Sequence, residues 1–229
     1  MEDFEKTCQE CGEQKIFYSY HFTLPNYERA YYPLCRNCFK QYFETKFYGW
    51  MEWYKIVEYN DEILVSLSGG KDSSVLLYLL HAWSQTKNKN LKITALHIQE
   101  GIPSYSEIME KNVTRLCKDL NITFSIISFK EKFNYSLPEI EEKQDVRGGR
   151  PAFGACAICV TLHNKIIHDF AMKRGIRKVT YGINSSDLTR IALESLVNSN
   201  RLKPIKKSTL IQYPISCFFH HLLYLTTRK

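Results

Sequence analysis

Glycine and proline are scarce in this sequence, ten and seven residues in 229, and that scarcity excludes fibrous repeats and general disorder. Long apolar runs are missing too: no stretch approaches the roughly eighteen consecutive apolar residues that suggest a membrane-spanning helix. The start, Met1-Glu2-Asp3, is not a basic segment followed by an apolar one. Neither a membrane span nor a secretory signal is therefore expected. What remains is 44% hydrophobic and 14% aromatic, enough to bury a real core. The length suits one ordinary domain plus a small accessory module. Thirty-one basic residues against 24 acidic ones give a net charge of +7, which invites a nucleic-acid reading. Residues 201–229 alone hold six Lys or Arg and no acid. The body of the chain is thus nearly balanced, and a solvated basic end is the simplest account of the surplus.

Six of the eight cysteines fall into three C-x-x-C pairs, which is not the spacing of a disulfide framework. With no secretory signal, a reducing, cytoplasmic setting is expected, and the pairs read as metal or redox sites. Cys8 and Cys11, followed after 23 residues by Cys35 and Cys38, predict two knuckles that offer four thiolates to one tetrahedral zinc ion. Between them, Ile16-Phe17-Tyr18 and Ala30-Tyr31-Tyr32 read as short strands joined near Pro25-Asn26. A module this small buries little apolar surface, so structural zinc is favoured over a redox pair. Cys117 lies in an amphipathic stretch and reads as a small core residue.

From Glu62 the pattern changes. Ile63 to Leu67 is an apolar run of strand length, Ser68-Gly69-Gly70-Lys71-Asp72-Ser73-Ser74 follows, and Val75, Leu76, Leu79, Leu80 and Trp83 recur at helical spacing. Strand, glycine turn and helix together aim backbone N–H groups at an anion, with Lys71 adding a point charge. Only Gly-Gly precedes the lysine, so this is not the G-x-x-x-x-G-K-S/T phosphate loop. Further strands are expected at 91–98, 122–129 and 179–181, with helices over 104–119 and from Cys156 onward. The alternation implies a mostly parallel sheet covered by helices, with ligands at the carboxyl ends of its strands. The polar segment 131–155, interrupted by Pro138 and Gly148-Gly149, reads as a long loop.

The S-G-G-K-D-S run resembles the signature of the PP-loop ATP pyrophosphatases, whose domain is of the adenine nucleotide α-hydrolase type. Three later segments, in order, narrow the resemblance: Leu96 to Ile102 with Tyr105-Ser106, Cys156-Ala157-Ile158-Cys159, and Gly182-Ile183-Asn184-Ser185-Ser186-Asp187. Together they look like the tRNA 2-thiolation enzymes, closest to the zinc-ribbon-bearing 2-thiouridine branch. That resemblance implies ATP and Mg2+ held around Ser66, Leu67, Ser68, Gly69, Gly70, Lys71, Asp72 and Ser73, with His97, Ile98, His163 and Gly182 also at the nucleotide. It implies sulfur or iron–sulfur chemistry at Cys156 and Cys159, where the family carries a 4Fe–4S cluster with a third cysteine, and a catalytic role for Asp187. Thiolates at a helix N-terminus are also expected to have a lowered pKa. The implied partners are tRNA and a sulfur donor, either a carrier protein or sulfide; whether the chain forms a homodimer is left open.

The chain departs from the family pattern at several points. The motif histidine is Ile183, its first acid is Ser186, and His163 replaces a basic residue. Cys217, the one candidate for the third cysteine, falls early and in Cys217-Phe218-Phe219 reads more like packing than ligation. The resemblance fades after Lys203-Pro204-Ile205 and suggests a shortened C-terminal part. The expected organisation is a zinc ribbon over 1–45, a helical linker over 46–60, a PP-loop ATP-binding domain over 61–200 and a divergent basic tail over 201–229. The implied activity is ATP-dependent sulfur insertion into tRNA. A small-molecule adenylating ligase and a catalytically dead RNA-binding relative stand as alternatives.

Overall fold

The computed structural model describes residues 7–24, 29–55, 57–144, 146–147, 150–151, 154–184, 186–187, 189–190 and 193. They fall into two compact units, one of Met1–Val57 with Ile183–Lys229 and one of Glu58–Gly182.

In the first unit, β1 (Tyr18–Thr23) and β2 (Arg29–Leu34) pair antiparallel, with Tyr18 opposite Leu34. The second expected strand, Ala30 to Tyr32, lies within β2, whereas the first lies further along the chain than its triplet suggests: Ile16 and Phe17 precede β1. The 19-residue helix α1 (Arg36–Tyr54) starts directly at the second knuckle, with Cys35 as its N-cap. The unit's small core is Cys8, Leu34 and Cys35, covered by Ile16, Tyr20, Tyr32, Cys38, Phe39 and Tyr42. Tyr20 stacks on Tyr32 and on Tyr42, at ring separations of 5.0 and 5.2 Å.

The second unit alternates strand and helix. Its elements are β3 (Glu62–Ser66), α2 (Lys71–Thr86), β4 (Lys92–Gln99), α3 (Tyr105–Asp119), β5 (Thr123–Ser128), α4 (Phe129–Phe133) and α5 (Leu137–Glu142). The short pair β6 (Val146–Arg147) and β7 (Arg150–Pro151) follows, then α6 (Ala155–Arg174) and β8 (Lys178–Tyr181). The main sheet has the order β5-β4-β3-β8, and all three of its pairings are parallel. Leu64, Leu96 and Ile98 pack on one face against Phe129, Leu137, Ile166, Ile167 and Ala171 from α4, α5 and α6. Strand alternation turns the equally buried Ile63, Val65 and Ala95 to the other face. Buried Leu76, Leu80 and Trp83 of α2, with Val113 and Cys117 of α3, supply that second layer.

Part of the segment expected to be a long loop is helical, in α4 and α5. Ser128 and Ser136 each form a capping box, with Glu131 and Glu139 three residues on. The reciprocal bonds satisfy helix-end N–H groups and start α4 and α5.

A parallel sheet brings the carboxyl ends of its strands to one edge. Ser66 sits in register with Leu96 and Tyr181, so the loop after β3, the end of β4 and the residue after β8 are neighbours. The chain builds outward from β3 to β4 and β5 and then returns to place β8 on the far side of β3. That reversal is where open α/β sheets form a ligand crevice.

Candidate functional site

The loop after β3 is closed by its own serines. The Ser68 N–H donates to Ser73 Oγ at 3.2 Å, the two hydroxyls are 2.9 Å apart, and Ser73 Oγ donates to the Gly70 carbonyl at 3.3 Å. Gly69 has a φ of +85°, and a Cβ there would lie 2.5 Å from the Met109 carbonyl oxygen. Both the turn and the approach of α3 therefore demand glycine. Gly70 is the N-cap of α2 and has no side chain to cap it. The first N–H groups of α2 remain oriented toward an incoming anion, next to Lys71 and Asp72.

Three neighbouring positions complete this edge. His97 is fully buried; its Nδ1 donates to the Leu67 carbonyl at 2.9 Å, and its Nε2 meets no partner among the described residues. Ile98 commits its side chain to the core with Leu64 and Leu96. Gly182 lies against the first turn of α2: a Cβ there would come within 2.4 Å of the Ser73 nitrogen and Cα. The same glycine lets β8 end directly on the helix that carries the loop.

Cys156 and Cys159 stand in the first two turns of α6, whose N-cap, Gly154, leaves the helix end without a side-chain cap. Cys156 is exposed and Cys159 half-buried. The lowered thiol pKa expected at a helix N-terminus does not hold for Cys159. Burial pushes it up to about 11, reinforced by the charge of Glu100, and the residue lies beyond the first turn, where the helix dipole acts. One turn further, His163 Nε2 lies 2.9 Å from Glu100 Oε1. Burial alone would raise the Glu100 carboxyl, but the His163 hydrogen bond and the residue's own backbone N–H outweigh it and hold the carboxyl below its ordinary value. Ligating atoms of Glu100, Cys159 and His163 all lie within 4.8 Å of one another. Glu100 is the residue that sequence reasoning missed. Its only signal was an acid directly after a strand on the sheet's carboxyl edge.

In the first unit, the sulfur atoms of Cys8, Cys11, Cys35 and Cys38 lie within 4.8 Å of one another, and Cys11 and Cys35 are 3.7 Å apart. Zinc–sulfur bonds of about 2.3 Å in a tetrahedron give sulfur–sulfur edges of about 3.8 Å, so the donor set and spacing fit zinc. The knuckle is tied by the Gly12 N–H to the Cys8 carbonyl at 2.8 Å and by the Cys8 N–H to the Glu13 carbonyl at 2.8 Å. Burial works against the Cys8 thiolate, yet N–H groups of Cys35, Glu10 and Cys11 prevail and bring its pKa down to about 6. The fit to a 4Fe–4S cluster is different. Among the described residues near the start of α6, only Cys156 and Cys159 offer sulfur, one fewer than the family cluster takes, and Cys217 lies outside the described residues.

Asp187 belongs to the first unit. Its Oδ2 accepts the Asn184 N–H at 3.1 Å and its own N–H donates to Asn184 Oδ1 at 3.1 Å. This reciprocal pair is a helix-starting arrangement, and Ser186 and Asp187 are helical.

Comparison with known proteins bears on this geometry. A family model described as a PP-loop domain matches residues 40–147. The tRNA-5-methyluridine(54) 2-sulfurtransferase of Pyrococcus horikoshii is 32% identical over 177 residues, covering 76% of this chain and 52% of that protein. Cytoplasmic tRNA 2-thiolation protein 1 of Debaryomyces hansenii is 29% identical over 178 residues, covering 78% of this chain and 46% of that protein. The chain thus spans about half the length of these relatives. Among solved structures, the U34-tRNA thiolase NcsA from Methanococcus maripaludis with its 4Fe–4S cluster superposes with a TM-score of 0.68 at 20% identity, over 98% of this chain and 74% of that one. At this identity the likeness shows the fold. No helix among the described residues is long and apolar enough to cross a membrane.

Proposed function

From a chain that carries a PP-loop domain and whose homologues are tRNA 2-thiolation proteins, we infer an ATP-dependent tRNA sulfurtransferase that forms 2-thiouridine or 2-thiocytidine. The observation that carries this reading is the closed Ser68–Ser73 loop at the sheet's carboxyl edge, continuous with the uncapped start of α2. A pyrimidine carbonyl oxygen leaves poorly. Its attack on the α-phosphorus of ATP expels pyrophosphate and makes that oxygen part of a good leaving group, AMP. A sulfur nucleophile then adds to the ring carbon, and AMP departs with the original oxygen.

Each step puts a demand on this chain's residues. The N–H groups of α2 and the Lys71 ammonium stabilise the charge that develops on pyrophosphate, the task for which oriented dipoles are most effective. Mg2+, when bound with ATP, would add to that neutralisation. Ser66, Leu67, Ser68, Gly69, Gly70, Asp72 and Ser73 shape the cradle, and His97, Ile98 and Gly182 border it. Sulfide, already at the oxidation level of the thiocarbonyl product, is the nucleophile that adds to the ring carbon; Cys156, the exposed thiol of the pair, and Cys159 beside it are assigned to the place where that sulfur is delivered. Asp187 is assigned a catalytic role on its match to the family motif alone. The four-cysteine knuckles are assigned a structural Zn2+ ion.

Purified chain supplied with ATP, Mg2+, sulfide and unmodified tRNA should release pyrophosphate only when tRNA is present and should yield a thionucleoside detectable by nucleoside mass spectrometry. Lys71→Ala is expected to slow pyrophosphate release about 100-fold or more. Pyrophosphate release driven by small acids and ammonia, indifferent to tRNA, would instead establish a small-molecule ligase.

A further inference from the structure

We propose that Glu100, Cys159 and His163 form a second, mononuclear metal site, separate from the four-cysteine site, that takes a zinc-like divalent ion through one oxygen, one sulfur and one nitrogen. Cys159 and His163 are four residues apart on α6, a spacing that puts two ligands on one helix face. Glu100 reaches the same point from the end of β4, the strand that α6 packs against.

The three donor atoms already lie within 4.8 Å of one another. Tetrahedral edges about an ion with bonds of about 2.0–2.3 Å run to roughly 3.3–3.6 Å. The 2.9 Å contact between His163 and Glu100 has to open by roughly half an ångström on that geometry, and the Cys159 sulfur, within 4.8 Å of both, has to settle at about 3.6 Å from them. The scaffold holds the ligands in place. Phe129, fully buried, packs edge-on to the His163 ring at 5.4 Å, and the Leu137 N–H at the start of α5 binds the Glu100 carbonyl at 2.8 Å. Both Glu100 and His163 are mostly shielded, with side-chain exposures of 14% and 23%.

A Cys-His-Glu set suits a borderline ion such as zinc better than an iron–sulfur cluster, which is held by cysteine thiolates. Three protein ligands also leave a fourth position for an exogenous group, the feature that separates reactive zinc sites from closed structural ones. Here that position would lie at the sheet's carboxyl edge.

The test is metal stoichiometry and affinity of the full chain, purified anaerobically and titrated with Zn2+. Wild type is expected to bind two equivalents. Cys159→Ala and His163→Ala should each bind one, and Cys8→Ser/Cys35→Ser should keep the other. Glu100→Gln preserves size and the hydrogen bond to His163, so it should fold; it is expected to weaken the second equivalent about 10–100-fold. If Cys159→Ala does not fold, Glu100→Gln and His163→Gln decide. A single equivalent in wild type overturns the proposal, as does a second equivalent that ignores Glu100→Gln and His163→Ala. So does a second metal that proves to be iron accompanied by acid-labile sulfide, which would return the cysteines to a cluster. The count does not depend on tRNA thiolation, so failure of the proposed activity and failure of this site are read separately.

Discussion

Gly182 illustrates how one residue can serve packing and ligand binding through the same atoms. Its α-hydrogen faces the backbone of Ser73, and a methyl group there would sit 2.4 Å from the Ser73 nitrogen. Backbone at that distance cannot swing aside as a side chain does, so α2 would have to shift. Ser73 also holds the loop closed through Ser68, so the shift would open the anion cradle. Gly182→Ala is expected to cost about 1–3 kcal/mol in chemical denaturation and to weaken ATP binding at least tenfold. Gly154→Ala is the control: nothing lies within 4 Å of its Cβ position, and ATP affinity should stay within twofold. Equal affinities for wild type and Gly182→Ala would show that the loop tolerates a displaced helix.

At the scale of elements, β3 and β8 are separated by 111 residues between Ser66 and Lys178 yet lie side by side, and an ion pair helps to secure them. Lys178 Nζ binds Asp61 just before β3. Burial would raise the Asp61 carboxyl, but the Glu58 N–H and Lys178 outweigh it and lower its pKa from the ordinary 3.8. A carboxyl lowered by folding contributes stability above its unfolded value and loses it as pH falls through the folded one. Asp61→Asn should therefore lower thermal stability at pH 5–8 by about 0.5 kcal/mol, the modest size expected for a partly exposed pair. The difference should vanish near pH 2; one that persists undiminished there would assign the loss to the hydrogen bonds instead. Such pairings also mark the limit of reading sequence. The strand, turn and helix from Ile63 to Trp83 were legible because apolar period and glycine placement act locally. The capping boxes at Ser128 and Ser136 were equally local, but Pro138 and Gly148-Gly149 drew attention to breaks rather than starts, and α4 and α5 were read as loop. Glu100 and His163 are 63 positions apart. They meet only because α6 packs on β4, a tertiary fact that no window of sequence carries.

The whole chain holds two units of very different means. The Glu58–Gly182 unit has a sheet with Leu64, Leu96 and Ile98 on one side and Ile63, Val65 and Ala95 on the other, each side covered by helices. The first unit's knuckle core has three fully buried residues, and two of them are cysteines. Without a metal, its four sulfur atoms would be a cluster of thiols and thiolates that repel or must protonate, around a single buried leucine. A small module of this kind depends on its ion, and binding free energy becomes folding free energy. A strong zinc chelator, or Cys35→Ser, is therefore expected to expose the amides of β1 and β2 to hydrogen exchange by at least about 100-fold. The amides of β3, β4 and β5, which rest on their own apolar core, should keep their protection within about threefold, and ATP should still bind. Protection of β1 and β2 that survives complete metal removal would show that the stacked Tyr20, Tyr32 and Tyr42 hold the module by themselves. Loss of protection across both units would show that the sheet's core does not stand without the ribbon's ion.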